Sequence, residues 1–221
     1  MNLTLFDLDG TLIESDSDHA FGEFLVEVGW ADREQFKQRN DAFYADYKSG
    51  ALDEVAYLDF ATAAWRNRPV AEALALRERF VREVMRPAVH DAALSLVRRH
   101  QRAGDLVAVV TATNEFVTRP IADLFGIDTL LAVELERDAD GRFSGRAQGV
   151  FTFREGKVTR VRQWLHGLGH APTDFDRITF YSDSINDLPL LEWSSHPVVT
   201  NPGPALAAVA AERGWPILRL F

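Results

Sequence analysis

The first apolar block, residues 3–6, stops at acidic and glycine residues, the form of a buried strand that opens into a loop. From about residue 18 to residue 85 the spacing turns helical. Phe21, Phe24, Leu25 and Val28 share one face, and Phe36, Phe43, Tyr44 and Tyr47 continue it. Lys48-Ser49-Gly50 interrupts the pattern, and Leu52, Val55, Leu58 and Phe60 resume it. No strand candidate occurs in this stretch, which ends before Pro87. The pattern predicts an all-helical insertion over residues 16–85, placed after the first strand of a core formed by 1–15 and 86–221.

Beyond the insertion the pattern alternates. Residues 91–102 form an amphipathic helix closed by Ala103-Gly104, and 106–110 is an apolar, β-branched run typical of a central parallel strand. Residues 116–124 are a helix candidate. The runs 130–136 and 143–149 flank Asp138-Ala139-Asp140-Gly141, a hairpin-turn signal. Then come a helix over 158–168, a strand over 177–181, an acidic loop, a helix over 188–192 and a strand over 197–200. Helices alternating with strands predict an α/β fold, a Rossmann-like, doubly wound parallel sheet with helices on both faces.

Composition changes little in this picture but narrows the function. The 221 residues suffice for one large domain or a core with a smaller insert, and 47% hydrophobic with 26% charged residues is globular. The formal charge of -9 and the lack of a basic cluster oppose nucleic acid and anionic lipid. Cysteine is absent, which removes disulfides, thiolate metal sites and cysteine nucleophiles and fits a reducing compartment, by default the cytoplasm. No apolar run approaches the ~18 residues of a membrane span. The Asn2-Leu3-Thr4 sequon carries no weight without an export signal.

Four positions lie where open α/β sheets place their ligands: Asp7 with Asp9, Thr111, Lys157, and Asp183 with Asp187. Asp7-Leu8-Asp9-Gly10-Thr11 sets two carboxylates two residues apart on a turn. One can attack phosphorus to give an aspartyl-phosphate, while the other protonates the leaving alkoxide and later deprotonates water. Attack by an anion on a phosphate dianion needs cations, namely a hard divalent metal on oxygen ligands and a lysine on the phosphoryl oxygens. Asp183 and Asp187 suit the first and Lys157 the second, with the Thr111 hydroxyl on a phosphate oxygen. Each alone has an ordinary reading: a turn, a strand-end threonine, a solvated lysine, or, for Asp187, the N-cap of a helix near Pro189. Gly156-Lys157-Val158 lacks the residues of a P-loop, the glycine after Asp7 is misplaced for an EF-hand, and His166 with His170 finds no third zinc ligand.

Taken in order, Phe6-Asp7-Leu8-Asp9-Gly10-Thr11-Leu12, Val110-Thr111-Ala112-Thr113-Asn114, Lys157 and Asp183-Ser184-Ile185-Asn186-Asp187 resemble the four motifs of the haloacid dehalogenase superfamily of phosphohydrolases. The resemblance spans nearly the whole chain, and the insert resembles the cap of the phosphoserine phosphatase branch. It implies a cap-over-core site with Mg²⁺. Asp7 would be nucleophile and metal ligand, Asp9 acid/base and backbone metal ligand, and Asp183 metal ligand; Asp187 would support the metal and Asn186 would position that region. Thr111, Ala112, Asn114 and Lys157 would hold the phosphate.

In that branch a cap arginine shortly after a Gly-x-Leu-(Asn/Asp) stretch meets the phosphoserine carboxylate. Here Gly50-Ala51-Leu52-Asp53 is followed at the matching place by Asp59 and Ala61, with Arg66 and Arg68 later. Asp16 matches the family's ammonium-binding glutamate, and residues 16–25 resemble members assigned as histidinol phosphatases. Asp16 and Asp18 thus either bind a substrate amine or cap a helix, Asp18 especially. Trp30 and Trp65 are core or pocket residues. The expected partner is a small-molecule phosphate ester, with histidinol phosphate the first candidate and phosphoserine the second, acted on by a monomer or homodimer. A phosphotransferase or phosphomutase would share the core residues; a phosphoacceptor signalling domain or an idle binding module fits the helical insert and Asp9 less well.

Overall fold

In a computed structural model the protein is described over residues 1–221, the side chain of Lys48 excepted. Strand β1 (Asn2–Phe6) is followed by helices α1 (Ser17–Glu27), α2 (Arg33–Ser49), α3 (Glu54–Ala63) and α4 (Val70–Phe80). Aspartates start three of them. Asp16, Asp32 and Asp53 have extended backbones and accept main-chain N–H bonds from the first turns of α1, α2 and α3. Gly50, left-handed at φ 76°, ends α2 at the predicted break. After α4 a turn of π-helix (Val81–Met85) and a short 3-10 turn (Arg86–Ala88) return the chain to the sheet.

The sheet side follows as α5 (Asp91–Arg102), β2 (Leu106–Asn114), α6 (Glu115–Leu124), β3 (Thr129–Val133), β4 (Leu135–Arg137), β5 (Phe143–Ala147) and α7 (Glu155–Gly167). The chain closes with β6 (Arg177–Ser182), α8 (Leu188–Trp193), β7 (His196–Thr200), α9 (Pro204–Arg213) and β8 (Ile217–Leu218). Six strands form one parallel sheet in the order β3-β2-β1-β6-β7-β8. This is the predicted fold class. β1 sits in the middle, so the residue after it emerges near the centre of the sheet edge, where the strand order reverses.

Side chains of β1 alternate between two apolar layers, as strand geometry dictates. Leu3 and Leu5 join Val161, Leu165, Phe180 and Leu190 on one face, whereas Phe6 joins a layer that runs on through Val97, Phe116, Phe80, Trp65 and Leu58. That second layer is shared by the sheet and the helical insertion. Trp65 lies flat on Phe116, ring centroids 3.9 Å apart, and Phe21 packs edge-on to Phe80. Trp65 is therefore a core residue. Trp30 stays partly buried, with the Arg68 guanidinium 4.0 Å above its ring.

Three local expectations need correction. The run 130–136 is two strands: β3 enters the main sheet, and only β4 forms the hairpin with β5, around the predicted turn at Asp138 to Gly141. β2 does not stop at Val110 but continues to Asn114 with a register irregularity, so Thr111 lies within the strand. Val55 does not belong to the apolar face of α3; it is 67% exposed.

Candidate active site

Four segments place the site at the C-terminal edge of the sheet. The N–H of Asp7, one residue past β1, donates to the Tyr181 carbonyl of β6 at 2.9 Å, which ties the first acidic loop to the strand leading to Asp183. Lys157, in the first turn of α7, is 1% exposed and reaches both loops. Its ammonium donates to Asp7 Oδ1 at 2.8 Å and lies 2.6 Å from Asp187 Oδ1 and 2.7 Å from Oδ2. The Ser182 hydroxyl also donates to Asp187 Oδ2, at 2.7 Å. Burial alone would lower the lysine pKa, but the charges of Asp187 and Asp7 outweigh it and hold the ammonium above its usual value.

On the other side of the acidic loop, the Asp9 carboxylate accepts the Ser17 N–H at 2.7 Å and the Thr113 hydroxyl at 2.9 Å. Burial, reinforced by the negative charge of Asp16, pushes Asp9 up to about 7. A carboxyl poised there can give and take a proton at neutral pH, which general acid–base work requires. Asp7 is likewise pushed up to about 7, by burial, with Lys157 pulling down and Asp187 pushing up.

Asp16 and Asp18 face the same cavity as Asp7 and Asp9. Asp16, not Asp18, is the helix cap: it accepts the His19 N–H at 2.9 Å. Asp18 is 6% exposed and accepts the Tyr57 hydroxyl at 2.7 Å and the Asn114 amide at 3.3 Å. Burial raises both acids to about 6. Asn114 caps α6 through the Val117 N–H as well, so its side chain is committed to positioning Asp18 and the helix. Thr111 accepts the Thr113 N–H at 3.2 Å, which leaves its hydroxyl proton for an oxygen in the cavity, and Ala112 lines the wall beside it.

The donor set suits a hard cation. One threonine hydroxyl, that of Thr11, lies 3.4 Å from Asp7 Oδ2 and 3.2 Å from Asp183 Oδ1, so the two carboxylates converge. Burial and then the charge of Asp7 hold Asp183 well above the carboxylate range. Lys157 pairs with Asp7 and Asp187 and leaves Asp183 beside them without a cation, an excess of negative charge that an oxygen-seeking divalent ion would relieve. Among the described residues no group of three acidic or histidine side chains is closed into a cage. Asp7 and Asp183 are the side chains open to such an ion. Asp187 is taken up by Lys157 and Ser182, and Asp9 by Ser17 and Thr113, which leaves only the Asp9 main chain for a ligand role.

The cavity above these groups is walled by α2 and α3. Phe43, Tyr44, Tyr47 and Tyr57 supply aromatic surface, Glu54 a further carboxylate, and His19, stacked 4.8 Å from Tyr44 and bonded to Asn40, an imidazole. No arginine or lysine lines it among the described residues. Arg66 is paired with Asp59 at 2.6 Å and Arg68 lies over Trp30. Tyr57, Thr113 and Ser182 were not singled out from sequence. Thr113 sits in the motif 110–114 and Ser182 five residues before Asp187, so both carry a local signal; Tyr57 meets Asp18 only through the fold.

Comparison with known proteins agrees with this geometry. Residues 4–192 match the family model of haloacid dehalogenase-like hydrolases. A histidinol-phosphatase of Neisseria meningitidis serogroup C is 41% identical over 217 residues, covering 98% of both chains. A crystal structure of a Bordetella pertussis Tohama I protein of unknown function superposes with a TM-score of 0.94 at 45% identity, covering 100% of this chain and 99% of that one. A substrate-bound phosphoserine phosphatase shares the fold, with a TM-score of 0.69 at 16% identity over 98% of this chain and 92% of its own. The chain belongs to the haloacid dehalogenase-like hydrolases and, within them, to the phosphatases.

Proposed function

We propose that the enzyme hydrolyses the phosphate monoester of a small cationic alcohol, with histidinol phosphate as its preferred substrate and Mg²⁺ as its cofactor. The observation that carries this reading is the lining of the cavity. Among the described residues, Asp16, Asp18 and Glu54 line the cavity with aromatic rings and without an arginine or lysine, a surface that favours an ammonium or imidazolium over a substrate carboxylate. The similarity to a histidinol-phosphatase along nearly the full length of both chains supports the same choice.

In this reading residues 16–85 act as a cap over the core. An Asp7 oxygen attacks phosphorus as the bond to the alcohol oxygen breaks, and Asp9 donates its proton to that oxygen. Asp9, now ionised, takes a proton from water. The water oxygen displaces Asp7 from phosphorus, releasing inorganic phosphate and restoring both carboxylates. Lys157 and the Thr111 hydroxyl neutralise and orient the phosphoryl oxygens throughout. Asp7, Asp183 and the Asp9 main chain would hold Mg²⁺, which supplies positive charge where the phosphoryl group gathers negative charge.

The test is phosphate release from histidinol phosphate, phosphoserine, phosphoethanolamine and sugar phosphates, with Mg²⁺ or EDTA, for the native chain and Asp7→Asn. We expect release from histidinol phosphate to dominate and to fall by more than about a thousandfold in Asp7→Asn. A preference for phosphoserine overturns the substrate assignment, and release unaffected by EDTA and by the substitution overturns the mechanism.

A further inference from the structure

The turn that delivers Lys157 is built against its own backbone preference. Arg154 has φ 48° and ψ -122° and opens α7, and the Gly156 N–H closes the turn onto the Phe153 carbonyl at 2.8 Å. Those angles belong to the first central residue of a type II′ turn, a place that glycine fills without strain and a long side chain fills at a cost. The side chain explains the exception. The Arg154 guanidinium donates to the carbonyl of Gly50, the residue that ends α2 in the cap region.

A second bond runs beside it. The Asn186 amide, adjacent to Asp187, donates to the Tyr47 carbonyl at 2.8 Å. Both acceptors are carbonyls at the C-terminus of α2, where main-chain donors run short; that of Tyr47 also takes the Gly50 N–H at 3.1 Å. The fit is close: a Cβ on Gly50 would lie 2.4 Å from the Arg154 guanidinium and 3.3 Å from Asn186 Oδ1. The segments that carry Lys157 and Asp187 therefore each hold the end of the helix whose Phe43, Tyr44 and Tyr47 wall the cavity.

We propose that Arg154 is a positioning residue that links the seating of α2 over the cavity to the placement of Lys157. This rests on the reading of Lys157 as the phosphate-orienting lysine. While the carbonyl of Gly50 is held, the strained turn is fixed and Lys157 points at Asp7. When α2 lifts, the turn loses its anchor and the ammonium loses its aim.

The test compares the native chain with Arg154→Gly and Arg154→Lys, by amide hydrogen exchange over residues 47–53, by thermal midpoint, and by steady-state kinetics on histidinol phosphate and p-nitrophenyl phosphate. Because glycine suits the turn, Arg154→Gly should melt no lower than the native chain. Its amides over residues 50–53 should exchange faster, and kcat should fall about tenfold or more on both esters, the loss expected for one charged hydrogen bond. Arg154→Lys, which keeps a charged donor, should recover part of that loss. Native exchange over residues 50–53 overturns the proposal, as does native kcat, an effect on KM alone, or a lower thermal midpoint, which would make Arg154 a residue of the fold. If the native chain releases phosphate from neither ester, the reading of the site fails, while the exchange measurement still decides whether Arg154 holds α2.

Discussion

Replacing Asp18 by asparagine should make the protein more stable and less selective, and the two effects can be separated by pH. Asp18 is 6% exposed, and burial raises it from the ordinary 3.8 to about 6. At pH 7.5 it is ionised in both the folded and unfolded chains, and the gap between 3.8 and about 6 corresponds to about 3 kcal/mol of unfavourable ionisation in the fold. Asn has nearly the same shape and no charge. The value of about 6 already includes the lowering by the Tyr57 hydroxyl bond, so removing the charge gains up to the whole gap, about 3 kcal/mol. For a chain of this size that raises the melting temperature by up to about 6–12 °C. The sign with pH follows from the raised value. Below the ordinary 3.8 both states are protonated and the native carboxyl carries no penalty, while the penalty builds as pH rises from 3.8 to about 6 and is constant above. The advantage of Asp18→Asn should therefore be full at pH 7.5, nearly full at pH 6 and about a third as large near pH 4.5. Differential scanning calorimetry at these three values reads it directly. On the proposed function, kcat/KM for histidinol phosphate should fall about tenfold while that for p-nitrophenyl phosphate holds, the loss of one charge pair. A variant that melts lower than the native chain by the same margin at every pH would refute the reasoning.

Three further outcomes follow from the same geometry. Because Asp9 must carry a proton to donate, and sits at about 7, turnover of an ester with a poor leaving group should decline as pH rises past about 7, and this limb should vanish from the pH–rate profile of Asp9→Asn. Lys157→Met leaves Asp7 and Asp187 buried without their counter-charge. Urea unfolding near pH 7 should show a loss of about 3–5 kcal/mol, and part of it should return at pH 5, below the value of about 7 to which burial pushes Asp7; an equal loss at both values would deny the ion pair its role. Trp65→Ala removes the ring stacked on Phe116 at 1% exposure and should lower the urea unfolding free energy by about 3–5 kcal/mol, with a loss under about 1 kcal/mol showing that the insertion does not share the core.

What the chain discloses without its structure is what local chemistry repeats. The apolar run ending at Asp7 and the β-branched run of β2 read as buried strands because both of their faces are apolar. β2 outruns its apolar signal because Thr111, Thr113 and Asn114 are polar yet buried, enclosed by partners from the acidic loops rather than by the core. Glu134 parts β3 from β4 as a single polar residue, too slight a signal to split an apolar run. Helix α9 has mostly alanine where a helix usually shows large apolar residues, so its spacing gave no stripe; its marks were Pro204 at the start and left-handed Gly214 at the end. Lys157 was separable from its neighbours Arg154 and Arg160 only by burial, since Arg160 turns to Glu134 and Arg154 to Gly50. The Tyr57–Asp18 and Thr113–Asp9 bonds join residues 39 and 104 positions apart, a kind of pairing that periodicity cannot carry.

The continuous apolar layer under the helical insertion decides how a substrate gains the cavity. Helices α1 and α4 and the Trp65 turn are joined by ring contacts to one another and to Phe116 of α6, so they cannot hinge away as one body without exposing that layer to water. Helix α2 is different: among its described residues Asn40 alone is buried, and its far end is held to the sheet side through the Tyr47 and Gly50 carbonyls. On the proposed function the doorway would be the end of α2, held by those hydrogen bonds and by the rings of Phe36, Phe43 and Tyr47 against Phe60, Tyr57 and Phe153. Amide exchange that is slow across α1 and α4 and fast across the C-terminal half of α2 would register that division, and uniform protection across all three would contradict it.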